Sequence, residues 1–220
     1  MDVVIFGLSH LSAVAWYAFT HDSPHRVVGF TVDAAYCSAG ALHGLPVVPF
    51  ETLAETFSPA GCLLSLPIGW RGMNAMRAEK MARARAMGYR LASYVSSRAL
   101  VWPDLQLGEN GMINDGAIVQ PFARIGANCN IQPGAMILHD AVIGDHCFVA
   151  AGSVIAGSAV IRERCVIGLN STVRDGVRVA PRCFIGAGAV VVSDTEENGL
   201  YVGVPARRQS LPADRLPLVQ

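Results

Sequence analysis

The apolar and polar positions of this chain follow two different rhythms. Through the first hundred residues, short apolar runs alternate with stretches of helical character. Asp2 to Phe6 is a compact apolar run closed by Gly7, the pattern of a buried parallel strand. Leu11 to Phe19 reads as a helix, Val27 to Val32 as a second strand closed by Asp33, and Leu45 to Val48 as a short third strand. Residues 51–57 read as helical and Cys62 to Leu66 as a fourth strand. Asn74 to Met87 is an Ala-, Met- and Arg-rich helix stopped by Gly88, and Leu91 to Val95 is a fifth strand. Alternation at this spacing predicts a small open α/β sheet.

From Val101 onward the period becomes six. Val101, Leu107, Ile113, Val119, Ile125, Ile131, Ile137, Ile143, Val149, Ile155, Ile161, Ile167, Val173, Val179, Ile185 and Val191 form an unbroken series of branched aliphatics. The residue four places after each is mostly small, as at Ala117, Ala135, Cys147, Ser153, Ala159 and Ser171. A fixed period of six predicts a parallel β-helix in which each hexad gives one short strand and one corner. A longer period of eighteen is superimposed. Gly116, Gly134, Gly152, Asn170 and Gly188 recur at that interval, and all tolerate positive φ. So do Cys129, Cys147, Cys165 and Cys183. Three hexads therefore close one triangular coil, and equivalent residues stack about 4.8 Å apart. The four cysteines become an inward column of small reduced side chains.

Composition narrows the function classes. The 220 residues are 52% hydrophobic and 15% charged, with a formal net charge of zero, so no nucleic-acid or membrane-surface partner is expected. No apolar run approaches the roughly 20 residues that span a bilayer, and the first residues read as a strand rather than a signal peptide, so the expected location is cytoplasmic. No cysteine pair has C-x-x-C spacing. His139 and His146 are the two histidines of the repeat region, fewer than the three a β-helical zinc site such as a carbonic anhydrase's would need, and no metal is expected.

Three features carry a family resemblance: the α/β unit ahead of the hexads, the stretch Leu138-His139-Asp140-Ala141-Val142-Ile143-Gly144-Asp145-His146, and the closing Tyr201-Val202-Gly203-Val204-Pro205-Ala206-Arg207. Together they resemble the hexapeptide-repeat sugar acetyltransferases, particularly the bacillosamine and perosamine N-acetyltransferases and the sialic acid O-acetyltransferases. The resemblance implies a left-handed parallel β-helix over residues 97–205, preceded by a Rossmann-like nucleotide-sugar-binding unit over residues 1–96 and followed by a tail over residues 206–220. It implies acetyl-CoA as acyl donor, a nucleotide-linked amino sugar as acceptor, and a homotrimer. A sugar O-acetyltransferase, or a non-catalytic assembly subunit of the same fold, are the alternatives.

By the same resemblance His139 is the general base. The chemistry agrees: the attacking amine must lose a proton, and imidazole titrates near neutral pH. Asp140 is expected to fix the ring's tautomer. Coenzyme A is expected along Gly157, Gly168, Asn170, Ala187 and Gly188, where small residues let a ligand approach the backbone, with Arg207 and Arg208 near its phosphates. Ser9, His10 and Asp33, at the carboxyl ends of the first two strands, are the candidates for the nucleotide, and Gln132 and His146 for the sugar. The turn Phe6-Gly7-Leu8-Ser9-His10 lacks a dinucleotide fingerprint, which argues against NAD.

Overall fold

The structure, a computed structural model, describes residues 1–38 and 40–216. The N-terminal sheet has strands β1 (Asp2–Phe6), β2 (Arg26–Val32), β3 (Ala41–Leu42), β4 (Leu45–Pro49), β5 (Cys62–Ser65) and β6 (Arg90–Leu91) in the order β3-β4-β2-β1-β5-β6. All neighbours are parallel except the β3–β4 hairpin. Helices α1 (His10–His21), α2 (Leu53–Thr56) and α3 (Ala75–Ala86) complete this unit. Val3 and Ile5 face one core with Phe19 and Phe30, while Val4 and Phe6 face a second with Phe50, Leu53 and Met81. That alternation across a sheet covered on both faces explains why β1 reads as a continuous apolar run.

The boundaries differ from the sequence reading in two places. The helix expected over residues 51–57 is a 3-10 turn, Phe50–Thr52, followed by the single helical turn of α2. The expected fifth strand splits in two. Arg90–Leu91 pairs with β5, whereas Tyr94–Val95 pairs with Met112–Ile113 and is already the first rung of the β-helix. The hexad series therefore begins one step earlier than Val101, at Val95.

Each later hexad contributes a two-residue strand, and residues eighteen apart pair in parallel on three faces. The first face stacks Tyr94–Val95, Met112–Ile113, Asn130–Ile131, Phe148–Val149, Val166–Ile167, Phe184–Ile185 and Leu200–Val202. The second runs from Leu100–Val101 to Val190–Val191, and the third from Gln106–Leu107 to Arg178–Val179. This is the parallel β-helix that the repeats predict, of the left-handed kind that the resemblance implies. Its core is the aliphatic series itself: Ile113, Ile131, Ile137, Ile155, Ile161 and Ile167 have no exposed surface. Burial of each contributes roughly 2 kcal/mol.

From Asn110 to Gly188, every corner places one residue in the left-handed region. Gly116, Gly134, Gly152, Asn170 and Gly188 do so between the first and second faces. Phe122, Asp140, Ser158 and Gly176 do so between the second and third, and Asn110, Asn128, His146, Arg164 and Arg182 between the third and first. The column cysteines are free and buried, and each thiol donates to a carbonyl of the next coil, as from Cys129 to Gly144 O and from Cys147 to Arg162 O, both at 3.0 Å.

The first face is covered by the N-terminal unit and the segment after the last coil, which bury Met112, Phe148, Ala150 and Val166. Arg77 of α3 is 1% exposed and reaches into the junction, donating to Ile68 O, His146 O and Cys147 O. Burial lowers its pKa to about 10. Asn74 donates to Cys165 O, and Arg164 donates back to Met73 O. These bonds cross between the two units at successive coils and fix the sheet against the solenoid.

Candidate active site

His139 follows the second-face strand Met136–Ile137 and opens the corner leading to Val142–Ile143. Asp140 takes the left-handed conformation there, φ 60°. The turn throws both side chains outward, and they are 60% and 55% exposed. His139 Nδ1 lies 3.1 Å from Asp140 Oδ2. A carboxylate in that position accepts from Nδ1–H and leaves Nε2 as the basic nitrogen.

Gly157 occupies the same register one coil on. A Cβ on Gly157 would fall 2.5 Å from His139 Cε1 and 2.6 Å from Nε2, so the ring edge rests on a place that no side chain can share. Among the described residues, the Gly157 N–H has no acceptor. A solvent-exposed imidazole with one nitrogen oriented, beside the free amide of the buried Gly157, can take a proton from a nucleophile while that amide donates to a developing oxyanion.

The other candidates are distributed over the molecule. Gly168, Asn170, Ala187 and Gly188 line the corner between the first and second faces, a full side of the triangle away from His139 and Gly157. Arg207 and Arg208 form the strand antiparallel to Leu200–Val202; both are exposed, and Arg208 is ion-paired with Glu196. Ser9 precedes α1 as its N-cap and His10 is its first residue, both exposed. Asp33 Oδ1 is ion-paired with Lys80, whose side chain is nearly buried, and with Arg83 at 3.9 Å. Gln132 donates to Asn130 Oδ1 at 2.7 Å and borders a cavity of about 200 Å³ between α1 and the β-helix, with Leu11, Val14, Pro67 and Asn114.

His146 is not beside His139. It lies at the third corner, against the N-terminal unit, where Nδ1 accepts from Asn128 Nδ2 at 2.8 Å. Asn110 in turn donates to Asn128 Oδ1 at 2.6 Å and accepts from Leu66 N at 2.9 Å. Burial is the main cause that holds the His146 pKa below its ordinary value. The sequence reading also missed Gln120, whose Oε1 accepts from the His139 N–H at 3.1 Å.

Among the described residues, no group of three or more His, Cys, Asp or Glu is arranged to hold a metal ion, and no helix is long and apolar enough to cross a membrane.

Residues 122–157 match the family model "Bacterial transferase hexapeptide (six repeats)", the span that contains His139, Asp140 and Gly157. No curated protein matches the chain by sequence. Among solved structures, PerB from Caulobacter crescentus, in complex with CoA and GDP-perosamine, is 27% identical. Its TM-score is 0.85, and the match covers 96% of this chain and 98% of that one. The acetyltransferase domain of PglB from Neisseria gonorrhoeae shares the fold at 24% identity, with a TM-score of 0.82 and coverage of 94% and 99%. The same domain in complex with acetyl coenzyme A matches at 23% identity, again with a TM-score of 0.82, and coverage of 94% and 98%.

Proposed function

We propose that this chain, an acetyl-CoA-dependent acetyltransferase built on a hexapeptide-repeat β-helix, acetylates the amino group of a nucleotide-linked amino sugar, with His139 as general base. The observation that carries the reading is the exposed imidazole tied through Nδ1 to Asp140 and seated on Gly157. The sugar amine attacks the thioester carbonyl carbon. Nε2 accepts the proton released from the amine nitrogen, and the tetrahedral oxyanion takes the Gly157 N–H. The carbon–sulfur bond then breaks, and the proton on Nε2 returns to the departing thiolate. The likeness to PerB, a structure with CoA and GDP-perosamine bound, supports both the cofactor and the class of acceptor.

Two of the assigned surfaces belong to different corners, and the second face between them is apolar apart from Thr172 and is uncovered among the described residues. Its outward positions are Leu100, Ile118, Met136, Val154, Thr172 and Val190, with Leu100 67% exposed. A second copy packed on this face brings the Gly168–Gly188 corner of one subunit opposite the His139 corner of another, and three copies close the ring. Coenzyme A then lies between subunits, with Arg207 and Arg208 toward its phosphates. The nucleotide is assigned to Ser9, His10 and Asp33, the last through Oδ2, since Lys80 and Arg83 hold Oδ1. Gln132 is assigned to the sugar.

The test is His139→Ala, assayed by release of free thiol from acetyl-CoA with GDP-perosamine as acceptor. Loss of the base lowers kcat by about 10²- to 10⁴-fold while acetyl-CoA binding holds. Retention of more than about a tenth of wild-type turnover removes His139 from this role. Turnover with a hydroxyl acceptor in place of the amine would identify an O-acetyltransferase instead.

A further inference from the structure

His139 is held at three points, and two have been described: Asp140 on Nδ1 and Gly157 under the ring. The third acts on its main chain. The His139 N–H donates to the side-chain oxygen of Gln120, nineteen residues earlier and one coil below, at 3.1 Å. Gln120 is itself anchored, its own N–H donating to Ile137 O at 2.9 Å. The equivalent positions on the neighbouring coils are Trp102, Leu138, Ala156 and Arg174. None of these side chains caps the residue nineteen places on among the described residues: after Trp102 that residue is Pro121, without an N–H, and after Leu138 it is Gly157, whose amide is free.

We propose that Gln120 is a positioning residue for His139. At this corner the backbone leaves the rung pattern, because Asp140 must enter the left-handed region before the next strand begins. The His139 amide therefore has no strand partner. Leu138 N to Ile155 O, Asp140 N to Pro121 O and Ser158 N to His139 O already tie the segment, so what an uncapped amide leaves free to tilt is the Leu138–His139 peptide plane, which carries the ring off Gly157. The amide oxygen of Gln120 closes that freedom. It has a second effect in the same place. The His139 and Gly157 amides sit in equivalent positions on adjacent coils, and both would otherwise be donors to an incoming thioester oxygen. Capping the first leaves the Gly157 N–H as the donor, which sets where the carbonyl carbon sits relative to Nε2.

This inference rests on the reading of His139 as the base, and the test separates the two. Turnover of acetyl-CoA and GDP-perosamine by the full chain is measured against pH for the wild type, His139→Ala, Gln120→Leu and Gln120→Glu. Gln120→Leu removes the acceptor at similar volume, and kcat falls about 10- to 100-fold, the cost of a misplaced reacting group, with the KM for acetyl-CoA nearly unchanged. Gln120→Glu keeps an oxygen for the His139 N–H and so restores much of kcat. Its carboxylate favours the imidazolium and moves the acid limb of the profile to higher pH. A role confined to stability would lower Tm and kcat in both variants and leave that limb in place, which overturns the proposal. So does a Gln120→Leu enzyme with wild-type kcat beside an inactive His139→Ala. An active His139→Ala sinks the base reading instead. Gln120 is then judged from histidine-labelled protein without substrate, where Gln120→Glu raises the His139 titration if the contact exists and leaves it unmoved if it does not.

Discussion

Replacing Asn128 by Ala probes the ladder that joins the N-terminal unit to the solenoid. Asn128 is fully buried, with φ 58°, between Asn110 below and His146 above. Truncation removes the 2.6 Å bond from Asn110 Nδ2 and the 2.8 Å bond to His146 Nδ1. Asn110 is 2% exposed and keeps only a 3.5 Å contact from Nδ2 to Leu66 O, so its donor is left unsatisfied at a cost of about 1–3 kcal/mol. His146 can turn toward water and loses about 0.5–1 kcal/mol. An alanine held in the left-handed region adds about 1 kcal/mol that asparagine largely avoids. The sum is about 2.5–5 kcal/mol, or a fall in Tm of roughly 5–20 °C for a protein of this size. Thermal unfolding followed by far-UV circular dichroism, at fixed protein concentration because assembly shifts Tm, reads this directly. Asn128→Gly is the control: it relieves the backbone strain but adds about 0.5–1 kcal/mol of chain entropy, so it falls close to the alanine variant. A drop under about 3 °C in both would show that the ladder holds nothing.

Three further outcomes are expected. His146 has a folded pKa below its ordinary value of 6.5, so the unfolded chain takes up its proton first as the pH falls; stability is full above 6.5 and declines below it, until the folded state also binds the proton. His146→Asn removes that component from the stability–pH curve, and an unchanged curve would discount it. Burial raises the thiols of Cys129 and Cys147 well above their usual range and raises Cys183, so a disulfide-exchange reagent on the native protein labels Cys37 rapidly, with the column silent until denaturant exposes all six. Fast native labelling of three or more thiols would mean the column is open, since only Cys37 and Cys62 lie outside it. Light scattering gives a homotrimer, and an active monomer would refute the shared site.

The β-helix was legible because its period leaves one class of residue at each inward position, from Val101 to Val191, and the stacked glycines count the hexads per coil. The other two left-handed columns were not, since Phe122, Ser158, Arg164 and Arg182 carry no turn signature; a corner forced by the rungs on either side overrides local preference. The docking of the N-terminal unit had a faint signal in the bulk of the first face's outward positions, Tyr94, Met112, Phe148 and Phe184, against Arg124 and Arg178 on the third. His139 and Asp140 are adjacent in sequence and were readable together. Gln120 was not, because a hydrogen bond between coils joins residues nineteen apart and leaves no periodic trace. The coenzyme candidates read as one stretch along the chain and fold onto two corners, which no one-dimensional reading of hexads separates.

The pinning of the N-terminal sheet to the coils, through Asn110, Asn128, Arg77 and Asn74, makes the molecule a ruler graduated in coils. These contacts hold the unit assigned to the nucleotide on several successive coils, and His139 lies within the span they grip. With nucleotide and base placed as proposed, reach between the two ends of the acceptor is set by how the two units are joined. Lengthening it through the solenoid requires eighteen residues at a time, each addition moving a rung by about 4.8 Å, because any other number would rotate the base to a different face. Selectivity among acceptors of different length is thus discrete, and the side chains around α1 and Gln132 are left to make the finer distinctions within one step.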